Sequence, residues 1–314
     1  MSLDSALKVM RRWASGLVEL PWRCGFLAVG RLLRRPARPW SSTGNERVLV
    51  LAPHPDDEAI ACAGTILRHL RSGDEVVVVI ATDGRLAGGA LTPDQVAAHR
   101  KEEATQAARR LGVTRLEWLG LREGDWKSNE LERCLSELLE QVAPTILYAP
   151  SRVDFHPEHL AVAHALGRAL DSVAAAPGIR VRVYQVQVPL TRILTNLVAD
   201  VSDVVAQSAT ALRAYESQSG SIESVHRRRR YGSLSHRMFG SVEEFWELTG
   251  NQYAVLHRAS STEWGGKFRG MRRFAWTDPL AYLLGNAERR RLRLAAAEGS
   301  PFRAARHERV AGSG

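Results

Sequence analysis

The chain has 314 residues, is 45% hydrophobic and carries 43 Lys and Arg against 34 Asp and Glu, a formal net charge of +9. That much apolar material suffices for one core of up to about 250 residues or two smaller ones, which excludes disordered and collagen-like chains. As a total, the charge suggests a nucleic-acid binder. Its distribution does not: residues 1–40 hold eight basic and two acidic side chains, residues 266–314 hold eleven and four, and residues 41–265 are left at −4. An acidic body with basic ends fits an enzyme with peripheral anchoring segments, and no nucleic-acid partner is expected.

Taken in chain order, Leu3, Leu7, Met10, Trp13 or Ala14, Leu17 and Leu20 recur at three- and four-residue steps with Asp4, Lys8, Arg11, Arg12, Ser15 and Glu19 on other faces, an amphipathic helix. Trp22, Phe26, Leu27, Leu32 and Leu33 then interleave with Arg23, Arg31, Arg34 and Arg35. Residues 1–40 thus suit peripheral contact with an anionic membrane surface. A helix packed on the body of its own or a partner subunit reads equally well.

From Arg47 onward, β-branched runs at Val48–Leu51, Val76–Thr82, Leu116–Leu119, Thr145–Ala149 and Val181–Val188 alternate with helical patterns at Glu58–Ser72, Thr92–Leu111, Ser128–Val142 and Pro157–Val173. Continuous apolar strands alternating with helices predict a three-layer α/β/α sandwich on a Rossmann-like, mainly parallel sheet. Helical C-terminal additions follow: Leu190–Tyr215 and Val242–Leu248 read as helices, and Arg227–Arg230 as a solvated helix or loop face with an anion contact as the alternative. Cys24, Cys62 and Cys134 form no Cys-x-x-Cys pair and read as reduced thiols. With no apolar run long enough to span a bilayer and no recognisable signal peptide, the expectation is a cytoplasmic protein, peripheral to a membrane if the N-terminal segment docks.

In such a sheet the chemistry collects outside the carboxyl ends of the strands. The first strand runs into His54-Pro55-Asp56-Asp57-Glu58, and the fourth into Asp154-Phe155-His156-Pro157-Glu158-His159. Imidazoles and carboxylates concentrated at strand ends are costly to bury unless a metal compensates. His54 and Asp57, three apart across a Pro-stiffened turn, can converge on one cation with Asp56 turned toward whatever that cation activates. The second cluster completes a set of two histidines and one carboxylate, which leaves a position open for water as in catalytic zinc sites and also occurs in non-haem iron sites.

These two motifs, about a hundred residues apart, resemble those of the LmbE-like or PIG-L family of zinc-dependent N-acetylglucosamine de-N-acetylases. Supporting pieces are Thr82-Asp83-Gly84, Arg100 with Glu103-Ala104, Leu111-Gly112 and Tyr215-x-Ser217-Gln218. The resemblance spans residues 46–250 as a catalytic domain, flanked by a basic N-terminal extension over 1–45 and a basic C-terminal extension over 251–314. It implies a Zn2+-dependent hydrolase releasing acetate from an N-acetylated amino-sugar conjugate. His54, Asp57 and His159 match the zinc ligands, Asp56 the general base, and His156 the residue that stabilises the oxyanion and assists departure of the amine. Asp154 and Glu158 stand beside them. Glu158 replaces the family's usual Asp, which leaves open how His156 is oriented. Arg100 and Asp125 resemble contacts to the group beyond the glucosamine, with helix-surface ion pairing as the alternative, and Arg85, just after Asp83-Gly84 at a strand end, either meets a substrate phosphate or solvates the loop. Two other readings compete: a metal-dependent phosphoesterase, which asks for two metals and more carboxylates, and a non-catalytic basic binding protein on the same fold.

Overall fold

The computed structural model describes residues 19–298 apart from 34, 89, 239, 259–267 and 274–278, and apart from the side chains of 219–223, 273, 279 and 298. An eight-stranded sheet in the order β1-β7-β8-β6-β5-β2-β3-β4 forms the middle layer. Its strands are β1 (Arg38–Pro39), β2 (Arg47–Ala52), β3 (Glu75–Thr82), β4 (Arg115–Leu121), β5 (Ile146–Ala149), β6 (Arg180–Val183), β7 (Leu197–Asp200) and β8 (Val242–Thr249). All neighbours run parallel except β8, which is antiparallel to both β6 and β7. Successive strand residues point to opposite faces. Leu49, Leu51, Val77 and Val79 therefore enter one core with α4 (Ser128–Val142) and α5 (Pro157–Ser172), while Val48, Val50, Val76 and Val78 enter another with α2 (Asp57–Arg71) and α3 (Pro93–Leu111). The expected α/β/α sandwich is the observed fold.

Local chemistry sets the helix ends. Thr92 and Gln95 close a reciprocal capping box at the start of α3, and Gly112, at φ +81°, ends it in a left-handed conformation.

Beyond β6 the expectations need correction. Val181–Val188 is a strand only to Val183, after which the chain turns along the carboxyl edge of the sheet. Leu190–Tyr215 is not one helix but α6 (Thr191–Leu194), β7 and α7 (Val205–Leu212). Val242–Leu248 is the inner strand β8, whose apolar residues mimic helical spacing because its acidic residues are buried as well. Glu243 pairs with Arg229 of α8 (Ser219–Ser235), and Glu244 with His236 at 2.8 Å. The arginine run divides accordingly. Arg228 and Arg229 lie inside, bonded to carbonyls of α2, and Arg227 and Arg230 face out.

The helix expected over residues 1–20 lies largely outside the described residues. From residue 19 to 32 the chain forms a helix, α1, whose Phe26 stacks on Tyr231 at 4.7 Å and meets Tyr282 edge-on at 4.8 Å. The C-terminal region adds α9 (Gly250–Arg258), α10 (Pro279–Leu283) and α11 (Asn286–Glu298), and supplies Phe268, Met271, Leu292 and Ala296 to the main core. Among the described residues no helix is long and apolar enough to cross a membrane.

Candidate metal centre and active site

The loop after β2 is held rigidly before it reaches α2. Thr82, ending β3, donates both its N–H and its hydroxyl to the Pro53 carbonyl, at 3.0 and 2.9 Å. Asp56 then sits at φ 117°, a left-handed conformation that strains a residue with a Cβ. Its N–H donates to Glu58 at 3.1 Å and its carbonyl accepts from Ile60 at 2.8 Å, so the helix start holds the strained residue in place. Glu58 is in turn fixed by the Tyr215 hydroxyl, and Glu103 accepts from both the N–H and hydroxyl of Ser217, at 2.8 and 2.7 Å. The Tyr215-x-Ser217 segment thus ties α2 to α3 behind the site.

Three donor atoms converge at the strand ends. His54 Nδ1 is 3.2 Å from His159 Nε2 and 3.4 Å from Asp57 Oδ2, and His159 Nε2 is 3.3 Å from Asp57 Oδ2. Around an ion with ligands at about 2.0–2.1 Å, tetrahedral geometry requires donors about 3.3–3.4 Å apart. The three residues therefore fit a small divalent metal. His156 joins the group more loosely: nitrogens of His54, His156 and His159 all lie within 4.8 Å of one another.

The opposite faces of the two ligand-like imidazoles are also engaged. Asp154 accepts from His159 Nδ1 at 3.0 Å, which leaves Nε2 as the lone-pair nitrogen facing the cluster. Glu123 Oε1 lies 3.2 Å from His54 Nε2, close but off the line of a good hydrogen bond. Burial opposes charge on these groups, yet the facing carboxylates of Asp57 and Glu123 push His54 up to about 9. His159 is likewise raised against burial by Asp57 and Asp154. Asp57 is held well below the usual carboxylate range, because the two imidazoles outweigh its burial. The local field favours positive charge where the donors meet.

Around this centre opens a cleft of about 460 Å3, lined among others by Asp56, Arg100, Glu123, His156, Gln187 and Gln218. Arg100 is buried, donates to the carbonyls of Pro55 and Gly84, and lies 3.2 Å from Asp56 Oδ2. Burial raises the Asp56 carboxyl to about 7, with Arg100 opposing and Asp57 and Glu58 adding to the rise. The His156 ring lies 4.6 Å from that of His159 and 5.0 Å from that of His54, and its Nδ1 has no hydrogen-bond partner. Burial, with His159 and His54 nearby, lowers it to about 4.

Other expected residues lie elsewhere. Glu158 does not orient His156: it accepts from Trp126 Nε1 at 2.5 Å and from Gly124 N at 3.5 Å, holding the loop after β4. The main chain of His156 is set instead by Asp154, which accepts its N–H at 2.9 Å. Arg85 turns to Asp83 and Asp94, at 2.7 and 2.9 Å, and Asp125 is exposed; neither lines the cleft. Sequence reasoning missed Glu123. It directly follows β4, the same strand-end position that exposed the two histidine motifs, and Asp83 fixes its main chain by accepting its N–H at 3.2 Å.

Known proteins share this fold and part of this sequence. Residues 49–170 match the family model of PIG-L, GlcNAc-PI de-N-acetylase. Diacetylchitobiose deacetylase of Thermococcus kodakarensis is 29% identical over 198 residues, covering 55% of this chain and 70% of that protein. A probable N-acetyl-alpha-D-glucosaminyl L-malate deacetylase of Bacillus subtilis is 28% identical over 185 residues, 55% of this chain and 83% of the relative. In structure, N,N'-diacetylchitobiose deacetylase of Pyrococcus horikoshii shares the fold with a TM-score of 0.57 at 24% identity, over 66% of this chain and 85% of that one. Residues 49–170 thus match a PIG-L family model, and the relatives this chain resembles are named as deacetylases, that is, amide hydrolases.

Proposed function

We propose that this chain removes the acetyl group from an N-acetylglucosamine-containing conjugate, using zinc held by His54, Asp57 and His159. The observation that carries the reading is the 3.2–3.4 Å triangle of donor atoms in a field that favours positive charge. Zinc bound there supplies Lewis acidity and readily ionised water near neutral pH.

The chain's own residues do the rest. Asp56 lines the cleft with its carboxylate steadied by Arg100, and takes the proton of the water that attacks the acetyl carbon. His156, whose Nδ1 is committed to no other group, donates to the oxyanion as the carbonyl becomes tetrahedral. The carbon–nitrogen bond then breaks, Asp56 returns the proton to the leaving amine, and acetate departs. Asp154 keeps both His156 and His159 in position.

A two-metal phosphoesterase would need a second set of ligands, whereas among the described residues His54, His156 and His159 gather in one cluster with Asp57 beside it. Mass spectrometry of zinc-loaded protein with diacetylchitobiose, N-acetylglucosaminyl-malate and N-acetylglucosaminyl-inositol tests the proposal: loss of one acetyl group and release of acetate are expected from at least one. Asp56→Asn should retain zinc and lose activity by at least about 100-fold. Zinc-loaded wild type releasing no acetate from any of them overturns it.

A further inference from the structure

We propose that the described parts of the N-terminal and C-terminal basic segments, α1 with α10 and α11, form a single face that docks on an anionic lipid bilayer. Seven of the nine large apolar side chains left exposed among the described residues are leucines of α1 or of the helices α10 and α11 with their connection, and the other two lie in the loop before α3. Leu20 and Leu27, 66% and 42% exposed, are two turns apart along one exposed stripe of α1, about 100–120° round the helix from buried Phe26. Phe26 packs on Tyr282 of α10, which brings Leu283 and Leu284, each 42% exposed, next to α1.

The same two segments carry the chain's excess of base. Arg23 and Arg31 are exposed on α1 and Arg290 on α11, and Arg35 is close enough to Arg293 for their charges to interact. Helices far apart in sequence thus converge, and these arginines come together with them. Leucines among arginines are the composition that enters the headgroup boundary of an anionic membrane; in a two-fold dimer the same basic face would meet itself. The inner side of α11 packs on the chain that leaves the cleft wall. Buried Arg289 of α11 donates to the Pro189 carbonyl at 3.0 Å, two residues beyond Gln187 in the cleft wall. Docking stands independently of the reaction in the cleft.

The test is co-sedimentation of the full chain with phosphatidylcholine vesicles with and without phosphatidylglycerol, for wild type, Leu20→Ser/Leu27→Ser, Leu283→Ser/Leu284→Ser and Arg23→Ala/Arg31→Ala. Wild type should bind the anionic vesicles and leave the neutral ones. Each arginine removed should weaken partitioning by about fivefold, and either leucine pair should weaken it, with thermal unfolding unchanged because these side chains are exposed. No binding, equal binding to both vesicle types, or wild-type binding by all three variants overturns the proposal. So does a stable self-association that vesicles fail to compete away.

Discussion

Replacing Glu123 with Gln tests whether the metal centre is organised by carboxylates behind its histidines. Gln keeps the volume and can still accept from the Leu86 N–H, which Glu123 holds at 2.8 Å, so the loop after β3 stays in place while an amide NH2 replaces the carboxylate oxygen facing His54. The contact to His54 Nε2 is 3.2 Å, longer than the ~2.7–2.9 Å of strong charge-assisted bonds, and poorly aligned. Its worth belongs at the lower end of the range for hydrogen bonds to charged groups, about 1.5 kcal/mol, or roughly tenfold in zinc affinity. Asp154→Asn should cost more. Asp154 is buried, is 3.0 Å from His159 Nδ1, and also accepts the N–H groups of Phe155 and His156. Competition against a chromophoric chelator measures both constants. Unchanged affinity in Glu123→Gln, or a larger loss there than in Asp154→Asn, would refute the assignment of Glu123 as the residue that positions His54.

Gly84→Ala should impair activity and lower stability by about 1–3 kcal/mol, because Gly84 sits at φ +66° and a Cβ would lie 2.5 Å from Arg100 Nη1, displacing the side chain that steadies Asp56. Gly88→Ala, at φ +82° with open space around it, should keep its activity in the same acetate assay. Arg229→Met removes the cation facing buried Glu243, and urea unfolding should register a loss of about 3–5 kcal/mol. His69 is buried with Nδ1 donating to Asp74 at 2.6 Å and Nε2 accepting from Tyr148, and burial lowers it from 6.5 to about 4. Folded protein therefore binds this proton less readily than unfolded protein. Its stabilising contribution is complete above 6.5 and is lost as pH falls toward 4, by about 3 kcal/mol. His69→Gln should flatten that part of the stability–pH curve, and an unchanged curve would contradict the neutral assignment.

The part of the fold legible in the sequence is the part where each element buries a simple pattern. Val48–Leu51 and Val76–Thr82 are apolar on both faces, and α2 to α5 are framed by Gly, Pro or capping residues, so their limits fall within a few residues of the observed ones. Past Val183 the rule that buried means apolar fails. β8 lies inside the sheet with Glu243 and Glu244 almost fully covered, and its partners Arg229 and His236 come from a helix read as partly solvated. Glu243 also accepts from the N–H groups of Gly64 and Thr65, at 2.9 and 2.8 Å. A strand whose charges are neutralised only by tertiary contacts carries no mark of burial in its own residues, and its apolar positions alone imitate a helix.

The site follows the same logic. The sheet order places β5, β2, β3 and β4 side by side, so the loops after all four open at one edge. The loops after β2 and β5 were readable because histidines with carboxylates have no cheap structural use there. The loop after β3 contributes Asp83 and Gly84, whose part is to hold Glu123 and make room for Arg100. The loop after β4 offers two acids, Glu123 and Asp125, with nothing in their spacing to choose between them. Backbone conformation decides. Gly124 at φ +76° reverses the chain between them, so that Glu123 faces His54 and Asp125 faces solvent. Glu158, by taking the Trp126 indole N–H, holds this turn in place. The acid expected to orient His156 thus acts one loop away, on the segment that carries the carboxylate behind His54.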